Sequence, residues 1–114
     1  MESKDQLELS CIRIAQEINK GEYFFDKEFS EYEEPCAGDY LDKDALDFRY
    51  IIDSGGKYLG ANVLVAFGGP NIWINTLDNC VEGYWGSDAI KRHYYKDNLG
   101  LDDYLEELYQ CIKK

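Results

Sequence analysis

The chain has 114 residues, 23 of them Asp or Glu against 12 Lys or Arg, which gives a formal net charge of −11. This length predicts one domain, and 45% apolar with 15% aromatic residues excludes the sparse hydrophobicity of a disordered chain. The charge disfavours direct binding to nucleic acid, whose phosphates reward clustered Lys and Arg, and no apolar run reaches the roughly 18–20 residues of a membrane span.

The first predicted element is a helix. Ser3 and Gln6 have the spacing of a capping box. Leu7, Cys11, Ile14 and Ile18 recur at spacings of four, three and four, a single apolar stripe. Gly21, following Lys20, marks the helix end, where a left-handed residue closes the last turn.

Residues 22–47 have a different character. They carry ten acidic side chains against Lys27 and Lys43, a net −8 in 26 residues that leaves −3 for the rest of the chain. Six rings are interleaved with them: Tyr23, Phe24, Phe25, Phe29, Tyr32 and Tyr40. A purely solvated tail does not carry so many rings, so the segment is expected to lie over the domain and be pinned by them. Pro35 and Gly38 are read as breaks, with a short helical turn near Lys27–Glu34.

A β-meander follows. Leu46, Phe48, Tyr50 and Ile52 alternate with Asp47, Arg49 and Asp53, and Ser54-Gly55-Gly56 supplies a hairpin turn. Tyr58–Phe67 is almost wholly apolar, as a strand buried on both faces would be. Gly68-Gly69-Pro70 turns the chain into Asn71–Thr76, and Leu77-Asp78-Asn79 turns it into a fourth strand, Cys80–Trp85. The turns are too short for crossover helices, so the strands run antiparallel. Ser87–Lys96 fits either a short helix capped by Ser87 or an edge strand. A second helix carries the stripe Leu101, Leu105, Leu108 and Ile112, with Asp102 and Asp103 in its first turn and Lys113 and Lys114 in its last, as the helix dipole favours. The expected fold is α+β: a two-layer domain in which a four-stranded antiparallel meander is packed by an N-terminal and a C-terminal helix.

Few motifs suggest chemistry. Cys11, Cys36, Cys80 and Cys111 form no CxxC pair, and His93 is the single histidine, so zinc-finger spacing is absent and reduced, structural thiols are expected. With no export signal after Met1, the cytosol is the expected compartment. Gly68-Gly69-Pro70-Asn71 lacks the Gly-Lys-Ser/Thr ending of a phosphate-binding loop and joins two strands. Asp42-Lys43-Asp44 resembles the start of a calcium loop but has Asp47 where the loop needs glycine. His93, in the basic run Lys91-Arg92-His93, has no nucleophile motif beside it. No catalytic residue, metal site or cofactor is therefore expected.

Two surfaces remain. Trp73 should face away from Ile72 and Ile74, and Trp73, Tyr84 and Trp85 then form an aromatic surface that is either covered by the acidic segment or open to a partner. With His93 beside it, that surface is also the place for a small ligand, as a binding module or an enzyme would use it. The acidic segment is either a solvated face or an array of fixed carboxylates that imitates nucleic-acid phosphates and docks in a Lys/Arg-lined groove. In the second case the contacts are Glu28, Glu31, Glu33, Glu34, Asp39, Asp42 and Asp44, with Tyr32 and Tyr40 as anchors.

The stretch Val63-Leu64-Val65-Ala66-Phe67-Gly68-Gly69-Pro70-Asn71-Ile72-Trp73-Ile74-Asn75-Thr76, followed by Val81-Glu82-Gly83-Tyr84-Trp85-Gly86, resembles a segment of small proteins from phages and mobile elements. Together with the acidity, the size and the lack of a catalytic motif, the chain resembles small anti-defence proteins of the anti-CRISPR type. The resemblance implies inhibition of a host nucleic-acid-processing defence protein in the bacterial cytosol, without enzymatic activity, and carries over no residue roles. An accessory protein that dimerises through its sheet is the remaining alternative.

Overall fold

The computed structural model describes residues 3–113 and orders its elements as α1 (Ser3–Lys20), α2 (Ala37–Asp44), β1 (Asp47–Ile52), β2 (Tyr58–Ala66), β3 (Asn71–Asn75), β4 (Cys80–Trp85), β5 (Asp88–His93) and α3 (Leu101–Lys113). The strands form one antiparallel meander in the order β1-β2-β3-β4-β5. The class is α+β, as expected, with five strands and three helices. The expected cap on Ser3 concerns a side chain outside the described residues.

The fifth strand resolves the Ser87–Lys96 ambiguity. Trp85 pairs with Asp88, so Gly86 and Ser87 alone make the turn, and Gly86 takes the positive φ of 62° that such two-residue hairpins require. Burial then alternates from Asp88 to His93, with Ile90 and Arg92 turned towards the helices.

All three helices lie on one face of the sheet. α1 packs on β4 and β5, and α3 on β2 and α2. At Gly83 the two layers meet closely: a Cβ there would lie 2.6 Å from Leu7 Cδ1 and 2.7 Å from Cys11 Sγ. The α1 stripe of Leu7, Cys11, Ile14 and Ile18 is fully buried, as its spacing predicts. On α3, Leu101 and Leu105 are buried, whereas Ile112, beside Phe48 and Tyr50 of β1, is 69% exposed. Cys111, expected to be a structural thiol, is exposed, and all four cysteines are free thiols.

Of the expected helical turn near Lys27–Glu34, a single turn forms at 27–29, where the Ser30 amide bonds the Asp26 carbonyl at 3.0 Å; bends follow at 31–34, and a further helix, α2, begins at Ala37. After Pro35 the extended Cys36 precedes α2. Ala37, Tyr40 and Leu41, at i, i+3 and i+4, turn into the core, with Asp39 in the first turn and Lys43 in the last. Gly38 is therefore not a break. It sits inside α2 because the Tyr32 ring lies on it: a Cβ would stand 2.6 Å from the Tyr32 hydroxyl oxygen.

Candidate functional site

The acidic segment is a loop, residues 22–36, folded against α2. Its centre is Asp39, buried to 7% exposure. The Tyr23 hydroxyl donates to Asp39 Oδ2 at 2.6 Å and accepts the Cys36 amide at 3.2 Å. Ser30 Oγ donates to Asp39 Oδ1 and accepts the Tyr32 amide at 3.0 Å. One carboxylate thus ties two points of the loop to the helix. The Tyr23 ring also meets Tyr40 edge-on at 5.1 Å, and Tyr40 donates to Glu17 of α1 at 3.3 Å. Burial, followed by the bond to Asp39, pushes the Tyr23 hydroxyl well above the usual phenol range. The Tyr32 hydroxyl is raised chiefly by the neighbouring Tyr104 hydroxyl of α3.

The nine residues expected to form the contact surface divide accordingly. Glu28, Glu31, Glu33, Glu34 and Asp42 are exposed, and none is in an ion pair among the described residues. Tyr32 is half-buried beside them. Asp39 and Tyr40 are interior groups that hold the loop and offer no contact surface, which corrects their expected role. Asp44 is half-buried, and burial raises its carboxyl, with Lys43 and Arg13 opposing.

Phe24 and Phe29, expected to pin the segment, do not. They are 73% and 82% exposed. With Tyr32, Asp26, Glu31 and Asp42 they enclose a hollow of about 390 Å³ between the loop and α2. Lys43 reaches across it, with Nζ 4.7 Å above the Phe24 ring centre and donating to the Phe24 carbonyl at 2.8 Å. The presence of rings among acids was visible in the sequence. Which rings point outwards depends on contacts with α2 and α3 and was not.

The expected aromatic trio also divides. The register pairs Trp73 with Leu64 and Glu82, on the sheet face that carries no helix. Tyr84 shares that face, while Trp85 is partly buried against the core on the helical side. The acidic loop packs on the helical side as well, so it does not cover Trp73. Arg49 lies 5.7 Å above the Trp73 ring, and Arg49, Asn62, Trp73, Glu82 and Tyr84 line a hollow of about 230 Å³. His93 and Trp85 are not among its walls. β2, expected to be buried on both faces, has one face towards the helices and the other in this open sheet surface, where Leu64 is nonetheless buried between Asp47 and Trp73.

Among the described residues, no three His, Cys, Asp or Glu side chains converge where a metal ion could sit. No helix among them is long and apolar enough to cross a membrane. Comparison with family models, with curated proteins and with solved structures gives no match for this chain. The functional reading therefore rests on the geometry of its own residues.

Proposed function

We propose that this protein is a non-enzymatic inhibitor that binds a host nucleic-acid-processing defence protein and blocks its nucleic-acid site. The observation that carries the reading is a set of five exposed carboxylates without ion-pair partners among the described residues: Glu28, Glu31, Glu33 and Glu34 on a loop held by Asp39, and Asp42 on the adjoining helix α2. Carboxylates on a floppy tail would lose affinity to ordering entropy on binding; a tethered loop avoids most of that loss. Their summed field steers a Lys/Arg-lined groove towards this face and competes there with phosphates. The anti-CRISPR resemblance makes a CRISPR effector nuclease the first target class to test.

The test is capture from bacterial lysate containing such effectors, washed at about 50 mM and about 500 mM salt, a range over which the Debye length falls severalfold. The expected result is retention of a nucleic-acid enzyme that is weakened at high salt and competed by that enzyme's own DNA or RNA. A variant with Glu28, Glu31, Glu33 and Glu34 changed to Gln and Asp42 to Asn should keep its thermal transition and lose capture. Equal capture by that variant refutes the proposal.

A second reading, a small-ligand module, is favoured by the hollow over Trp73 on the open sheet face. It predicts a ligand-dependent change in tryptophan fluorescence that is insensitive to salt.

A further inference from the structure

The hollow between the acidic loop and α2 has walls of two kinds. Phe24, Phe29 and Tyr32 supply aromatic surface, and Asp26, Glu31 and Asp42 supply carboxylates. Its volume of about 390 Å³ lies at the low end of the roughly 300–1,000 Å³ typical of small-ligand sites. That suits one long side chain better than a whole cofactor. A cation already uses part of it: the Lys43 ammonium stands over the Phe24 ring and bonds the Phe24 carbonyl. The contact shows that this wall accepts positive charge in the geometry of a cation–π pair.

The remaining groups have little to do within the chain. Asp39, at the back of the hollow, is occupied by Tyr23 and Ser30. Glu31 and Asp42 have no ion-pair partner among the described residues, and the Phe29 ring is almost fully open to water. An aromatic face next to unpaired carboxylates matches a guanidinium, which stacks flat on a ring and offers a planar fork to a carboxylate. An ammonium does only half of this, since it is a point donor and more strongly hydrated.

We infer that this hollow is the receptor for a single arginine side chain of the partner, and that Lys43 is an internal competitor displaced when the arginine enters. The inference rests on the proposed function, which it deepens by naming the partner chemistry at one point of the acidic face.

The experiment follows amide shifts of the full-length, isotope-labelled protein while titrating blocked Gly-Arg-Gly, the same peptide with lysine, and the same peptide with citrulline, the neutral shape of arginine. The arginine peptide should shift Phe24, Phe29 to Tyr32 and Lys43, the lysine peptide should bind several-fold more weakly, and the citrulline peptide should leave the spectrum unchanged. Phe29→Ala, an exposed change that leaves the core intact, should weaken arginine binding about three- to tenfold. Lys43→Gln should tighten it by more than Lys27→Gln, a control with the same change in net charge from a residue outside the hollow.

Three results each overturn the inference: citrulline binding as well as arginine, shifts spread evenly over the exposed acids, or equal effects of Lys43→Gln and Lys27→Gln. The two proposals also fail separately. If the carboxylate-to-amide variant loses capture while arginine ignores the hollow, only the arginine receptor falls. If arginine enters the hollow while that variant still captures its target, only the acidic-mimic reading falls.

Discussion

Tyr23→Phe removes one oxygen atom and keeps the ring that meets Tyr40 edge-on. Two bonds are lost with that oxygen. Asp39 loses its 2.6 Å donor, and the Cys36 amide loses its 3.2 Å acceptor at the entrance to α2. A hydrogen bond to a carboxylate contributes about 1.5–3 kcal/mol, and an amide left without a partner costs about 1–3 kcal/mol when water cannot reach it. Cys36 is only half-buried, so the lower end applies to the amide and the total is about 2.5–4 kcal/mol. Against the roughly 5–15 kcal/mol that holds a domain folded, such a loss is large. It should not stay in the loop, because Ala37, Tyr40 and Leu41 belong to the common core. Urea unfolding should show a lower midpoint at unchanged slope, and hydrogen exchange should accelerate at Cys36 and at Tyr40, whose amide bonds the Cys36 carbonyl. Combining Tyr23→Phe with Ser30→Ala should give less than the sum of the two, since both act through Asp39. A loss below about 0.5 kcal/mol, within the range of ordinary surface changes, or unchanged exchange at Cys36 and Tyr40, would refute the idea that Asp39 holds the loop.

Gly83→Ala should cost about 1–3 kcal/mol by forcing Leu7 and Cys11 of α1 away from β4; an unchanged thermal midpoint would show that the layers are less tightly packed there. Burial raises the Tyr40 and Tyr94 phenols, with Glu17 next in effect at Tyr40 and Asp97 at Tyr94. The unfolded chain then ionises first, so stability should hold below about pH 10 and fall above it by up to about 1.4 kcal/mol per pH unit for each of the two. Urea unfolding from pH 8 to 11.5, followed with phenolate absorbance, checks the sign, and a flat profile would contradict it. Thiol labelling read by mass spectrometry should modify Cys111 fastest and Cys36 more slowly. Cys11 and Cys80, both fully buried and the latter pushed up to about 11, chiefly by burial, should react only on unfolding. Rapid labelling of Cys80 would mean that β4 is less covered than described.

Some elements were legible because their signals are local. The stripes of α1 and α3 repeat every three or four residues, and the glycine turns fix where the meander reverses. α2 was harder to see: its buried stripe is only Ala37, Tyr40 and Leu41, set among acids that read as solvated. Gly38 looked like a break because the reason for it, the Tyr32 ring, lies outside the helix. The strand parity of Trp85 was hidden because Cys80 and Val81 are both apolar, so alternation in β4 does not reveal which face is inward.

The sequence by itself determined the antiparallel α+β class, the two terminal helices and the concentration of charge in residues 22–47, since each follows from periodicity, turn chemistry or a count. Only the tertiary structure decided which of those charges meet water. Asp39 and Asp42 are the same residue type three positions apart, yet one is buried under Tyr23 and Ser30 and the other is exposed. Tyr23 lies 16 residues before the carboxylate it binds, and contacts across such distances along the chain are set by packing, which no local pattern of residue types encodes.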